Sequence, residues 1–317
     1  MQPFDLSNLK TYDLSSRPSK VAVADLGEPP APTTSVADWI DTLPRQLAAN
    51  ELRRLRDEIV RCRRDGRTVG VGIGGHVIKV GCAPYLIDWI ENDVIQSISM
   101  NGSAAIHDFE LAFAGKTSED VAAQLPSGAF GMARETADAF AVAAEQGAKD
   151  GRGLGAALGA YIHEMNCPHA DRSLVCAAYR AGIPCTIHVA LGTDIVHMHP
   201  QVSGAALGEA SLIDFRILCS VIHSMQEGLW MNIGSAVVMP EVFLKAISVA
   251  RNFGAELSGL VTANLDKEAK YRTRMNVLSR PSAAGIEIIG HHELLIPLVH
   301  AAVAAKLALP DASARAA

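Results

Sequence analysis

The chain has 317 residues, 49% hydrophobic, 20% charged and 5% aromatic, with a formal net charge of −6. Such a length can bury a full core, in one large domain or two smaller ones. An acid excess with no basic run gives no footing to a nucleic-acid partner, and few aromatics among many Ala, Gly, Val and Ile suit an α/β protein better than a β-sandwich.

The first residues, MQPFDLSNLK, lack a charged stretch followed by an apolar core, so no secretory signal is expected. No run reaches the roughly 18 apolar residues of a membrane span. Cys62, Cys82, Cys167, Cys176, Cys185 and Cys219 form no C-x-x-C pair. They read as buried thiols of a reducing compartment, which implies a cytoplasmic protein.

Residues 1–34 are rich in Pro, Ser and Thr and read as an extended arm, loosely ordered or laid across a neighbouring subunit. Within it, Lys20 to Val23 is a candidate short strand. Residues 35–317 are expected to form a single α/β domain. SVADWIDTLPRQLAANELRRLRDEIVRCRRDG has helical periodicity, with Ser35 or Asp38 as cap and Gly66 as stop. TVGVGI is a buried strand whose alternating glycines admit a close neighbour. It leads through Gly74-Gly75-His76 to a helix with Pro84 in its first turn. A second strand ends at Asn101-Gly102-Ser103, about thirty residues on, the length of one βαβ unit. Residues 116–160 read as helical, with Thr117 or Ser118 as cap, and GRGLGAALGAYIHEMNCPHADRSLVCAAYRAG as a glycine-punctuated loop and then another helix. Strands follow at GIPCTIHVALGT, GLWMNIG, LSGLVTANLD and GIEIIG, separated by helices and closed by HHELLIPLVHAAVAAKLAL. At least five strand–helix units without a linker predict a doubly wound, mostly parallel, Rossmann-like sheet flanked by helices.

Three strands thus end in small-residue turns, at 74–76, 101–104 and 234–236. Each offers backbone N–H groups near a helix start, where a nucleotide phosphate binds. Gly72-Ile73-Gly74-Gly75 is not a true G-x-G-x-x-G, and no acidic residue stands free about 20 residues on, since Asp88 falls inside a helical pattern. His107-Asp108 offers a proton shuttle with an adjacent carboxylate; the plainer alternative is a helix cap at Asp108, and Glu110 adds a carboxylate beside either. Asp194 ends the CTIHVAL strand, and His197 and His199 follow it. His163, Cys167 and His169 crowd a short segment and, with His197 and His199, form an alternative metal-ligand set, though without a zinc signature. Lys79 could meet an anion. Lys267 and Lys270 lie in a charged loop that suits solvent or, if desolvated, imine formation.

The runs GGHVIKVG, MNGSAAIHDFE, GIPCTIHVALGTDIVHM and WMNIGSAVVMPEVFLKAISVARNFGAELSGLVTAN fall in the same order as matching pieces of the deoxyhypusine synthase family. The resemblance covers roughly residues 50–305, in topology and spacing rather than in identity. It implies NAD in a doubly wound fold and a homotetramer with active sites at dimer interfaces. It also implies transient oxidation of a polyamine carbon, with a lysine capturing the imine. By the same resemblance, Gly75, His76 and Gly81 match the first NAD-contacting region, and Gly102, Ser103 and Asp108 the second. Asp194 and Gly234 lie near the third and fourth. This chain departs from the family at Gly75-His76 and Lys79-Val80, where the family has serines, and at Met239-Pro240-Glu241. The segment YRTRMNVLSRPSAAG stands where a Trp-Gly-Lys run is expected.

The resulting expectation is an NAD-dependent enzyme acting on a small polar amine or alcohol by transient oxidation, with a product other than deoxyhypusine. Its catalytic residues would be His107, Asp108, Asp194, His197 and His199. Its cofactor residues would be Gly74, Gly75, His76, Gly81, Asn101, Gly102, Ser103, Gly234 and Ser235. The alternatives are a metal-dependent hydrolase or lyase on the same fold, and a ligand-binding protein without turnover. The expected partners are a small-molecule substrate and further copies of the chain, with no nucleic acid and no membrane.

Overall fold

The computed structural model describes residues 1–309; the last part of the expected domain, 310–317, lies outside the described residues. Six strands are present: β1 (Val69–Ile73), β2 (Ser97–Asn101), β3 (Cys185–His188), β4 (Leu229–Ile233), β5 (Val261–Asp266) and β6 (Gly285–Ile289). They form one sheet in the order β3-β2-β1-β4-β5-β6, and every pairing is parallel. The chain winds outward from β1 to β3, returns to the other side of β1 at β4, and winds outward again to β6. The topological switch point therefore lies between the carboxyl ends of β1 and β4, where folds of this kind leave a crevice for a ligand.

The helices preceding and crossing the first half are α1 (Val36–Thr42), α2 (Leu47–Arg64), α3 (Gly75–Lys79), α4 (Ala83–Glu91) and α5 (Gly102–Ala114). Then come α6 (Val121–Gln124), α7 (Arg134–Lys149), α8 (Gly153–Glu164) and α9 (Leu174–Ala181). The second half adds α10 (Gly204–His223), α11 (Val238–Asn252), the short turn α12 (Tyr271–Thr273) and α13 (His292–Leu307). Both faces of the sheet are covered, as a parallel sheet requires, and all residues of β1, β4 and β5 are buried.

The alternation in β1 separates two cores. Val69, Val71 and Ile73 join the larger cluster with Leu55 and Ile59 of α2. Gly70 and Gly72 leave room on the other face for Trp230, whose ring would lie 2.9 and 2.8 Å from a Cβ at these positions. Trp230 stacks on Phe243 of α11 with ring centroids 4.7 Å apart. Burying an aromatic of this size removes roughly 150–250 Å² from water, worth about 4–6 kcal/mol as an upper bound. The close neighbour that the glycines of β1 admit is therefore a side chain of the core.

Several elements differ from the sequence expectations. Lys20 to Val23 adds no strand; Val23–Asp25 is a 3-10 turn. No residue before Ile40 is buried, and the arm is tied down only near its end, by Glu28 N–H to the Thr42 carbonyl and Arg45 N–H to the Asp25 carbonyl. Residues 116–160 are broken by loops around Gly128 and Gly131, both at positive φ. The cap of α6 is Asp120, not Thr117 or Ser118, whereas Ser35 does cap α1. Much of the expected loop after Gly151 is α8. Its glycines serve close packing, since a Cβ at Gly155 would lie 2.0 Å from the Cys185 carbonyl oxygen and one at Gly159 2.7 Å from Tyr179 Cβ. All six cysteines are free and buried. Among the described residues no helix is long and apolar enough to cross a membrane.

Candidate functional site

Parallel pairing puts the carboxyl ends of all strands on one edge, so the turns that follow them stand side by side in strand order. The turn after β2 is anchored by Asn101, whose side chain accepts from Ala104 N–H at 2.9 Å and caps α5. Gly102 lets the Asp194 carboxylate, from the loop after β3, press against the first turn of α5; a Cβ there would lie 2.0 Å from Asp194 Oδ2. On the other flank Gly75 packs on Ser103 Oγ and His107, and Gly74 on the Gly234 carbonyl, at 2.4, 3.3 and 2.1 Å from their would-be Cβ atoms. The glycines of these turns thus knit neighbouring turns into a continuous floor, and their Cα faces meet protein. Gly81, at φ +80, is the exception in the expected cofactor set, with nothing within 4 Å of its would-be Cβ.

A cavity of about 250 Å³ opens above the β1–β3 side of this floor, among Lys79, Ser103, His107, Glu110, Glu119 and Asp194. Ile106, Phe130 and Ile195 supply its apolar wall. A larger groove of about 610 Å³ lies between α10 and α11, lined by Phe215, Cys219 and Phe253. It is mostly apolar and remote from the carboxyl ends of the strands, whereas the smaller cavity gathers ionisable side chains at that edge.

His107 and Glu110 lie one turn apart on α5 and share a face. Thr117 folds back over them: its hydroxyl donates to Glu110 Oε2 at 2.5 Å and lies 2.7 Å from His107 Nδ1. The hydroxyl has one proton, and that proton goes to the carboxylate. Nδ1 must therefore donate to Thr117, which leaves Nε2 as the free, basic nitrogen of the neutral ring. Burial pushes the Glu110 carboxyl up, but the neighbouring His107 and the hydroxyls of Thr117 and Thr136 outweigh it and hold the group below its usual value.

Asp194 is moved the other way. Its burial raises the carboxyl above the usual range, and nearby His197 opposes the shift only in part. His197 Nδ1 accepts from the backbone N–H groups of Gly192 and Asp194, at 3.1 and 3.2 Å. Its proton in the neutral ring is therefore on Nε2, which is buried without a hydrogen-bond partner, 3.8 Å from Asp194 Oδ2.

Other expected site residues lie elsewhere. Asp108 is fully buried, turned inward from α5, and accepts from Ser173 Oγ and the N–H groups of Leu174 and Val175. It holds the start of α9, and burial, opposed by these bonds, raises its carboxyl to about 6. Neither a proton-transfer role in the cavity nor a contact with a cofactor is open to it. His199 turns away to the Gly131 carbonyl oxygen, 2.8 Å from Nε2. Ser235 Oγ accepts from Met239 N–H at the start of α11. His76 stands edge-on to buried His292, centroids 5.3 Å apart; burial foremost, then His292 and Lys267, lowers its pKa. His163 packs near Tyr179, and the His169 ring rests against Gly115. Among the described residues no three His, Cys, Asp or Glu side chains converge as metal ligands, so the alternative set does not assemble. Asp88 pairs with His300 at 2.7 Å, and Lys270 with Glu268.

Sequence reasoning missed Glu119 in the cavity wall and Thr117 as the partner of His107 and Glu110; Thr117 carried only a capping signal. It also missed two buried groups that serve the fold. Asp214, raised to about 8 by burial, accepts from the N–H groups of Gly155 and Ile187. His188, lowered by burial to about 3, shares a hydrogen-bond chain with Thr186 and Ser99.

No family model matches the chain, and no curated protein matches it. Solved structures do. AgrE, in its ternary complex with ornithine and NAD+, superposes with a TM-score of 0.56 at 12% identity, over 84% of this chain and 34% of that one. A protein of Methanococcus maripaludis S2 assigned as LOR/SDH gives 0.54 at 13%, over 82% and 71%. One of Entamoeba histolytica assigned as a deoxyhypusine synthase gives 0.52 at 11%, over 86% and 94%. The chain spans about a third of AgrE (34%) and most of the Entamoeba protein (94%). At these identities the likeness is one of fold, and it bears out the expected architecture: an α/β fold shared with a deoxyhypusine synthase-like protein and with a protein that binds NAD+.

Proposed function

We propose that the chain is an NAD-using enzyme that transiently oxidises a small polar amine or alcohol, with His107 as the base. The observation that carries this reading is the His107 imidazole tied through Thr117 to Glu110, with no hydrogen-bond partner on Nε2, in the wall of a cavity one strand from the switch point. Three carboxyl groups, Glu110, Glu119 and Asp194, against one ammonium, Lys79, suit a substrate that brings its own positive charge.

The residues present fit a dinucleotide in part. The first turn of α3 leaves the N–H groups of Gly75 and His76 without helical partners, and Lys79 and Lys267 stand on the same edge. The usual ribose carboxylate is missing, because β2 ends in Asn101 and that side chain caps α5. Gly75, His76 and the turn at Gly234-Ser235 would hold the pyrophosphate, with less reliance on the ribose. When bound, NAD supplies a hydride acceptor. His107 Nε2 takes the proton released by the substrate's amine or hydroxyl group, and Glu110 steadies the resulting imidazolium through Thr117. Asp194 accepts a hydrogen bond from the substrate, and Ile106 and Phe130 keep water from the reacting carbon.

The same reading makes the chain a homo-oligomer, tetrameric by its resemblance, because the arm carries Phe4, Leu9 and Tyr12 at 88%, 70% and 70% exposure. The decisive experiment is mass spectrometry of what co-purifies, joined to titration of the purified protein with NAD. Recovered NAD, or saturable binding of added NAD, is the expected result. Absence of both at millimolar NAD overturns the reading.

A further inference from the structure

We infer that Thr117 is a positioning residue: its hydroxyl, held by Glu110, selects the tautomer of His107 that leaves Nε2 as the base. This rests on the reading of His107 given above and adds the device that fixes it.

Glu110 cannot do this alone. Its Oε2 is 3.9 Å from His107 Nδ1, beyond hydrogen-bond reach, and the Thr117 hydroxyl closes the gap with two shorter bonds. The chain brings Thr117 there because α5 ends at Gly115, at φ +66, which turns the backbone sharply over the face it has just left. A second link fixes the returning segment: Glu119 Oε2 accepts from Gly131 N–H at 2.8 Å. Glu119, Ser118 and Phe130 of this strap are also cavity wall. The surface a substrate touches and the hydroxyl that orients the base therefore belong to one piece of chain.

A hydroxyl is needed rather than a methyl of the same shape. Thr117→Val leaves Nδ1–H without an acceptor and Glu110 with only the Thr136 donor, on its other oxygen, whereas Thr117→Ser keeps both bonds. Without the relay the ring reverts to the Nε2–H tautomer that free imidazole side chains favour, and Nε2 ceases to be a base.

The test is long-range 1H–15N NMR of the full chain above the imidazole titration, with His107 assigned by the loss of its signals in His107→Gln. The expected spectrum has Nδ1 protonated and Nε2 bare in the wild type and in Thr117→Ser, and a shift to Nε2–H in Thr117→Val. Thr117→Ala serves the same purpose should the valine variant fail to fold. A wild-type ring already in the Nε2–H form overturns the inference, as does an Nδ1–H ring unchanged in a folded Thr117→Val or Thr117→Ala. This readout needs no turnover, so a protein that never binds NAD but shows the tautomer pattern overturns the proposed reaction and leaves the relay standing. Where turnover is found, kcat should fall at least about tenfold in Thr117→Val, with KM little changed and activity restored in Thr117→Ser. Equal kcat in the valine and serine variants overturns a functional role.

Discussion

Two adjacent residues, His107 and Asp108, show how far a sequence pair can diverge in space. Successive residues on a helix point about 100° apart, so the imidazole faces the cavity while the carboxylate faces the core and holds α9. The partner of His107 sits instead at Glu110, on the same face, and the link between them is Thr117, which the sequence marks only as a helix-cap candidate. The position of Asp194 was legible because the loop that follows a buried parallel strand emerges at the carboxyl edge, although β3 itself ends six residues earlier, at His188. The raised pKa of Asp194 makes a prediction. A carboxyl whose folded pKa exceeds its unfolded 3.8 favours the protonated form on folding, so its effect on stability turns unfavourable as pH rises above that value. Asp194→Asn should therefore melt at or above the wild-type temperature at pH 8, while weakening binding of a cationic substrate about tenfold or more. A variant that is both markedly less stable at pH 8 and unaltered in binding would assign Asp194 to the fold alone.

Glycine is the element-scale lesson. Its occurrence in β1 signals close approach, and that much was readable there; in α8 and the edge turns close approach is what the structure adds. What approaches was not readable, because a glycine looks the same beside a phosphate, a tryptophan or another backbone. In β1 it is Trp230, in α8 the backbone of β3 and the Tyr179 side chain of α9, and at the edge the neighbouring turns. The α8 glycines were misread as a loop because intrinsic propensity speaks against glycine in a helix, by about 1 kcal/mol each, and only the tertiary contact explains them. Gly72→Ala should accordingly destabilise the protein by about 1–3 kcal/mol through overpacking on the indole. Trp230→Leu should lose stability by itself through the void it leaves. The double variant should lose less than the sum, because the smaller side chain makes room for the added methyl. Urea denaturation of the three variants measures this, and strict additivity would mean that the ring and the glycine do not meet.

At the scale of the whole molecule, the parallel α/β fold was legible from regular strand–helix spacing, and the strand order follows from chain handedness and one return crossing. What the sequence concealed is the ionisable machinery buried between layers, since burial is decided by the assembled fold. Asp214 and His188 are both buried, and their effects on stability oppose each other over part of the pH range. For His188, lowered from 6.5 to about 3, the folded state favours the neutral ring; its contribution is complete above 6.5 and declines as pH falls below that. For Asp214, raised from 3.8 to about 8, the folded state favours the protonated carboxyl, so stability declines as pH rises from 3.8 toward 8. Asp108 acts in the same direction but is spent by about 6. Between 3.8 and 6.5 the histidine and the carboxyls partly cancel. From 6.5 to 8, of these three, only Asp214 still acts. The wild type should therefore lose thermal stability as pH is raised across that upper interval at constant ionic strength. Asp214→Asn can keep both backbone hydrogen bonds through its amide oxygen, and it should flatten the decline. Should the two proteins lose stability equally over that interval, the charge on Asp214 is not what the fold resists.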